Sequence, residues 1–126
     1  MAEKISKGQA EAKIREYIIK FEKEHMGRGP EDTLVDIMGD IIFIRLKGVL
    51  TAAEKTLAKD SEGKSLVKQT RVRLLEASRK MLEKNIEEIT GAKTVSMHSD
   101  ISTKTGERII VFTMDSNLES NYQLER

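Results

Sequence analysis

The chain has 126 residues, enough for one domain built on a single core. Its 22 Lys and Arg against 21 Asp and Glu give a net charge of +1, so charge alone implies neither nucleic acid nor an anionic membrane as partner. With no Cys, disulfides, thiolate catalysis and Cys-ligated metal centres are excluded. No uninterrupted apolar run is longer than that from Ile41 to Ile44, far short of the roughly 20 residues a membrane helix requires. The N-terminal stretch lacks a signal-peptide core, so a soluble, cytoplasmic, non-membrane-spanning protein is expected.

In chain order, Ile14, Tyr17, Ile18 and Phe21 fall at i, i+3, i+4 and i+7 and predict an amphipathic helix, stopped by Gly27, Gly29 and Pro30. Two β-rich runs follow, separated by Gly39 and Asp40, a pair suited to a two-residue type I′ or II′ turn. That turn pairs Met38 with Ile41, Ile37 with Ile42, Asp36 with Phe43 and Val35 with Ile44. One face is then Val35, Ile37, Ile42, Ile44 and Leu46, a core face. The other carries Leu34, Asp36, Met38, Ile41, Phe43 and Arg45, too apolar for a plain solvent face, and a second subunit is a candidate to cover it.

Thr51 and Glu54 have the spacing of a capping box and open a short helix from about Ala52 to Lys59, ended by a polar DSEGK loop. One long helix is predicted from Ser65 to about Thr90, with Val67, Leu74, Leu75, Met81, Leu82, Ile86 and Ile89 as its apolar stripe and Gly91 as its cap. A second hairpin, Val95 to Met114, turns through TKTGE with Gly106 in the left-handed position. The tail 116–126 has little apolar content and is expected to be loose. The expected fold is a single α+β domain over 1–126. Its two β-hairpins form a four-stranded antiparallel sheet, with the long helix and the N-terminal helix packed on one face and the strand order open.

Alternation places Ser96, His98, Asp100 and Ser102 on one face of the third strand, where Ile110, Phe112 and Met114 are expected to join them. A bulged turn at Gly106 would set Arg108 opposite Ser102 and diagonal to Asp100. Such a cluster of Ser, Asp, Arg and His could be a structural hydrogen-bond network, bind a small anion, or place His98 as a general acid or base oriented by Asp100, with Arg28 or Arg108 as an anion clamp. His25, the other histidine, lies in a different segment, so neither a zinc site nor a cofactor is expected. GRGP at Gly27 to Pro30 follows a helix and lacks phosphate-loop spacing, and reads as a helix stop. The cations of RVRLLEASRK alternate with Glu and have no aromatic neighbours, so nucleic-acid binding is not expected.

GRGP leading into a hairpin, then LKGVLTAAEKTLAK, LVKQTR, ITG, HSDIST and VFTM, together resemble the small bacterial MpsC family, over about Ile5 to Met114. The family is named for a sodium-translocating, membrane-potential-generating system. The resemblance implies no reaction. It carries over Arg28, Pro30, Leu50, Thr51, Glu54, Arg71, His98, Ser99 and Asp100 as candidate functional or structural positions, with Thr51, Glu54 and Arg71 as a candidate structural motif. A chain without a membrane span offers no path through hydrocarbon. The expectation is therefore an accessory or regulatory protein, homodimeric, with a membrane protein as its further partner. It would act by protein contacts or a small ligand; the alternative is a small enzyme or anion-binding protein using the His98, Asp100 and Arg108 face.

Overall fold

A computed structural model of the chain describes residues 5–121. Helix α1 spans Lys7–His25 and begins in a capping box: Ser6 Oγ accepts from the Gln9 amide at 3.1 Å, while the Ser6 amide donates to Gln9 Oε1 at 2.9 Å. Strands β1 (Asp32–Met38) and β2 (Ile41–Lys47) pair in the expected register, Met38 with Ile41 through Val35 with Ile44. Gly39 has φ 61° and among the described residues no non-glycine residue has positive φ, so the turn is type II′, which needs a left-handed residue only at its first central position.

Helix α2 (Ala52–Leu57) is shorter than expected, because the DSEGK segment is not a loop. Asp60 caps a second helix, α3 (Ser61–Ala77), accepting from the Gly63 amide at 2.7 Å. The single long helix is also corrected: it divides at Ser78 into α3 and α4 (Arg79–Thr90). The Ser78 amide is shared between the carbonyls of Leu74 and Leu75, both at 3.1 Å, so the backbone ladder is not left open at the division. Each half buries its own series, Val67, Arg71 and Leu75 in α3 and Leu82, Ile86 and Thr90 in α4. Leu74 and Met81, expected in the stripe, are exposed.

Strands β3 (Thr94–Ile101) and β4 (Arg108–Met114) complete one antiparallel sheet in the order β1-β2-β4-β3. This is the expected α+β fold. The core lies between the helices and one sheet face, where Ile14, Ile18 and Phe21 of α1 and Leu82 and Ile86 of α4 join Val35, Ile37, Ile42, Ile44, Leu46, Ile110 and Phe112. At the free edges, carboxylates occupy outward amides: Glu11 Oε2 accepts from Ile37 N and Glu87 Oε2 from Thr94 N, both at 2.9 Å.

The tail is docked as far as it is described. Leu118 is fully buried, its amide donates to the Gly39 carbonyl at 2.8 Å, and Glu119 Oε1 accepts from the Gly39 amide at 2.7 Å. The rest of the expected loose tail, 122–126, lies outside the described residues.

The corner between α2 and α3 is closed on Gly63, where an added Cβ would lie 1.6 Å from the Leu57 carbonyl oxygen. Gly to Ala inside a helix ordinarily stabilises by about 1 kcal/mol. Here the sign is expected to reverse: Gly63→Ala should destabilise by roughly 2–3 kcal/mol, the scale of overpacking against a backbone that cannot retreat. Urea denaturation checks this, and a variant as stable as wild type would mean that the corner opens freely.

Candidate functional site

The second hairpin is paired one residue away from the expected register. Arg108 lies opposite Ile101, not Ser102, and a one-residue slip moves every side chain of a strand to the other face. Arg108 therefore points into the core with Ile110, Phe112 and Met114, while Ile109, Val111 and Thr113 accompany His98 and Asp100. The expected cluster of Ser102, Asp100, Arg108 and His98 is not assembled.

Its members have separate partners. His98 Nε2 lies 3.1 Å from Ser96 Oγ, and Ser96 also bonds Thr113 Oγ1. Asp100 Oδ1 instead accepts from the Ile101 amide at 2.8 Å and meets Lys68 Nζ at 3.5 Å. The bond from the Ile101 amide holds the Asp100 carboxyl below its usual range, aided by Lys68 against a small effect of burial. Ser102 belongs to the turn, accepting on its carbonyl from Gly106 N at 2.8 Å and on Oγ from Thr105 N at 3.2 Å. Arg28 lies in the loop after α1, bonded to the Gly29 carbonyl at 3.2 Å and 3.9 Å from Glu31.

A different set of charges is brought together, at the centre of the molecule. Thr51 and Glu54 form the reciprocal cap: Glu54 N donates to Thr51 Oγ1 at 3.1 Å and Thr51 N to Glu54 Oε1 at 2.9 Å. The same carboxylate receives Arg71, Nη2 to Oε1 at 2.6 Å and Nε to Oε2 at 2.8 Å, a bidentate geometry. Arg71 Nη2 also donates to the Val49 carbonyl at 2.8 Å and the Met26 carbonyl at 3.4 Å. Behind it stands Glu22 of α1, fully buried, with Oε1 3.6 Å from Arg71 Nη1 and Oε2 3.8 Å from Arg108 Nη1. Arg108 Nη2 donates to the Arg71 carbonyl at 3.2 Å.

The two carboxylates of this quartet are in opposite electrostatic situations. Burial pushes the Glu54 carboxyl up, but the hydrogen bonds from Arg71 and Thr51 outweigh it and hold the group below its usual range. Glu22 accepts no hydrogen bond among the described residues. Burial raises it, and the attraction of Arg108 and Arg71, too distant for hydrogen bonds, only partly offsets that. Burial likewise draws Arg108 down to about 10, which leaves it charged at neutral pH.

Glu22 and Arg108 were hidden by their charge, yet the pattern contains them. Glu22 continues the four-residue series of Ala10, Ile14 and Ile18, and Arg108 the two-residue series of Ile110, Phe112 and Met114.

Among the described residues no helix packs on the reverse face of the sheet. Ile41, Phe43, Ile109 and Val111 form its half-buried apolar centre, with Leu34 and Met38 exposed beside them. Asp36 and Arg45 stand on the same face, and Arg45 Nε donates to Glu107 Oε2 at 2.6 Å.

The quartet makes a test by contrast. Glu54→Gln removes the negative charge and one of the two acceptors that a buried guanidinium uses, and should cost about 3 kcal/mol. Glu22 has a folded pKa raised above its unfolded value, so its contribution to stability falls as pH rises from the ordinary carboxylate range through the raised folded value. Gln mimics its protonated form. Glu22→Gln should therefore match wild type below pH 4.5 and equal or exceed it at pH 7. Urea titrations at the two pH values decide, and a loss of several kcal/mol at pH 7 would mean that the attraction of the two arginines exceeds the effect of burial.

Comparison with known proteins gives concordant results. The family described as "Na+-translocating membrane potential-generating system (MpsC)" matches residues 6–116. The uncharacterized protein YbcI of Bacillus subtilis (strain 168) is 42% identical over 120 residues, spanning 95% of this chain and 97% of the relative. The uncharacterized protein YrhF of the same organism is 32% identical over 111 residues, 85% of this chain and 91% of the relative. No solved structure matches. A match over nearly all of the described residues, supported by two full-length relatives, places the chain in the MpsC family.

Proposed function

We propose that the chain is a cytoplasmic accessory or regulatory protein of a Na+-translocating, membrane-potential-generating system, and that it works by protein contact as a homodimer formed on the open face of its sheet. The family description supplies the link to Na+ translocation. Among the described residues no helix is long and apolar enough to cross a membrane, which favours an accessory role over that of the conduit.

The observation that carries the reading is the two-sided sheet. One face is buried under α1 and α4, and the other leaves Leu34 52% and Met38 45% exposed around the half-buried Ile41, Phe43 and Val111. Asp36 and Arg45, of opposite sign, flank that apolar centre. A two-fold axis brings the same patch from both protomers together, and a patch carrying both signs around an apolar middle is self-complementary. A second copy is therefore the occupant that this face suits. The enzyme alternative loses its geometry with the separation of Arg108 from His98 and Asp100.

Sedimentation equilibrium should find wild type dimeric and Phe43→Glu monomeric with an unchanged far-UV spectrum. In cells lacking the gene, a potential-sensitive dye should report a smaller Na+-dependent membrane potential, restored by wild type and not by Phe43→Glu. A monomeric wild type at high micromolar concentration overturns the dimer, and an unchanged potential overturns the accessory role.

A further inference from the structure

At the end of the sheet where β2 leaves and β4 enters, the loops enclose an open cleft of about 580 Å³, within the range of small-molecule sites. Its cations come from three separate segments: Arg45 and Lys47 from β2, Lys55 from α2, and Lys104 from the β3–β4 turn. Two carboxylates share the lining, Glu31 and Glu107. Four cations against two carboxylates is a local excess, in a chain whose net charge is +1. Glu107 is already engaged by Arg45 at 2.6 Å, and Glu31 lies 3.9 Å from Arg28. Lys47, Lys55 and Lys104 make no ion pair among the described residues.

We propose that this cleft binds a small anion carrying two linked phosphoryl groups, either free or as the end of a phosphorylated metabolite. Three unneutralised ammonium groups suit a diphosphate better than a single phosphoryl group of about −2 charge. Thr103 and Thr105 add hydroxyl groups to the lining, and Leu50 gives it an apolar floor. Among the described residues no aromatic side chain lines the cleft to stack a nucleobase, and the phosphoryl groups themselves are what the proposal has recognised.

The cleft is joined covalently to the buried quartet. Lys55 follows Glu54, Glu107 precedes Arg108, and Val49, whose carbonyl receives Arg71, donates its amide to the Gly106 carbonyl at 3.1 Å. An anion bridging Lys55 and Lys104 would tie α2 to the β3–β4 turn and so raise the stability of the whole domain.

The test uses the full chain with sodium pyrophosphate, compared with sodium sulfate at matched ionic strength and with phosphatidylglycerol vesicles. Pyrophosphate should raise the melting temperature saturably and give a calorimetric isotherm, with sulfate much weaker. The double variant Lys47→Gln with Lys104→Gln should lose roughly tenfold or more in affinity, the scale of two charge-assisted hydrogen bonds, with its unliganded melting temperature unchanged. Lys20→Gln with Lys84→Gln, outside the cleft, should bind as wild type. Equal, non-saturating responses to both salts, undiminished binding in the cleft variant, or affinity for the vesicles alone would each overturn the proposal.

Discussion

The Arg71 guanidinium grips both oxygens of Glu54, and its Nη2 also donates to the carbonyls of Val49 and Met26. One planar group on α3 thereby holds the start of α2, the loop after β2 and the end of α1. Lysine could not do this, since a point charge on a flexible stem lacks the fork that satisfies a carboxylate bidentately while a further N–H reaches main chain. The two helices that meet at this guanidinium, α2 and α3, are otherwise the less deeply buried ones. Helix α2 buries no residue, and α3 buries only Gly63, Val67, Arg71 and Leu75. Hydrophobic burial alone would not fix the orientation of these two helices, so directional bonds do that work.

Glu22 and Arg108 extend the network without completing it. Their contacts with the arginines and with each other are Coulombic, at 3.6 and 3.8 Å, in a volume from which water is largely excluded. Buried charges of this kind add little net stability over apolar replacements, and their established value is in specifying one arrangement over others. Here Arg108 ties β4 to α1 through Glu22 and to α3 through the Arg71 carbonyl, and among the described residues these are its only polar side-chain contacts.

Much of this was legible from residue order. Gly39 with Asp40 fixed the register of the first hairpin, because a two-residue turn leaves no freedom in what faces what. Thr51 and Glu54 gave the start of α2 through a cap whose chemistry is local. The register of the second hairpin is not set by residue order, because its longer turn permits more than one pairing of β3 with β4, and the observed one places Arg108 opposite Ile101. The division at Ser78 is not legible, because Ser78 is an ordinary helix residue and the buried series runs on across it from Leu75 to Leu82 at seven-residue spacing. Resemblance brought Thr51, Glu54 and Arg71 forward together, although spacing alone could not show that they touch.

The carboxylates at the sheet margins bear on how the protein associates. A free strand edge is a template for another strand, and sheets that leave one open tend to grow by polymerising through it. In this molecule Glu11 takes the Ile37 amide on β1, and Glu87 and Asp100 take those of Thr94 and Ile101 on β3. An incoming strand would have to displace a side-chain acceptor from each and set its own carbonyls beside those oxygens. Growth through the edges is thus opposed at both ends of the sheet, and the pairing proposed for the face would close at a finite number of subunits instead of continuing into a fibre.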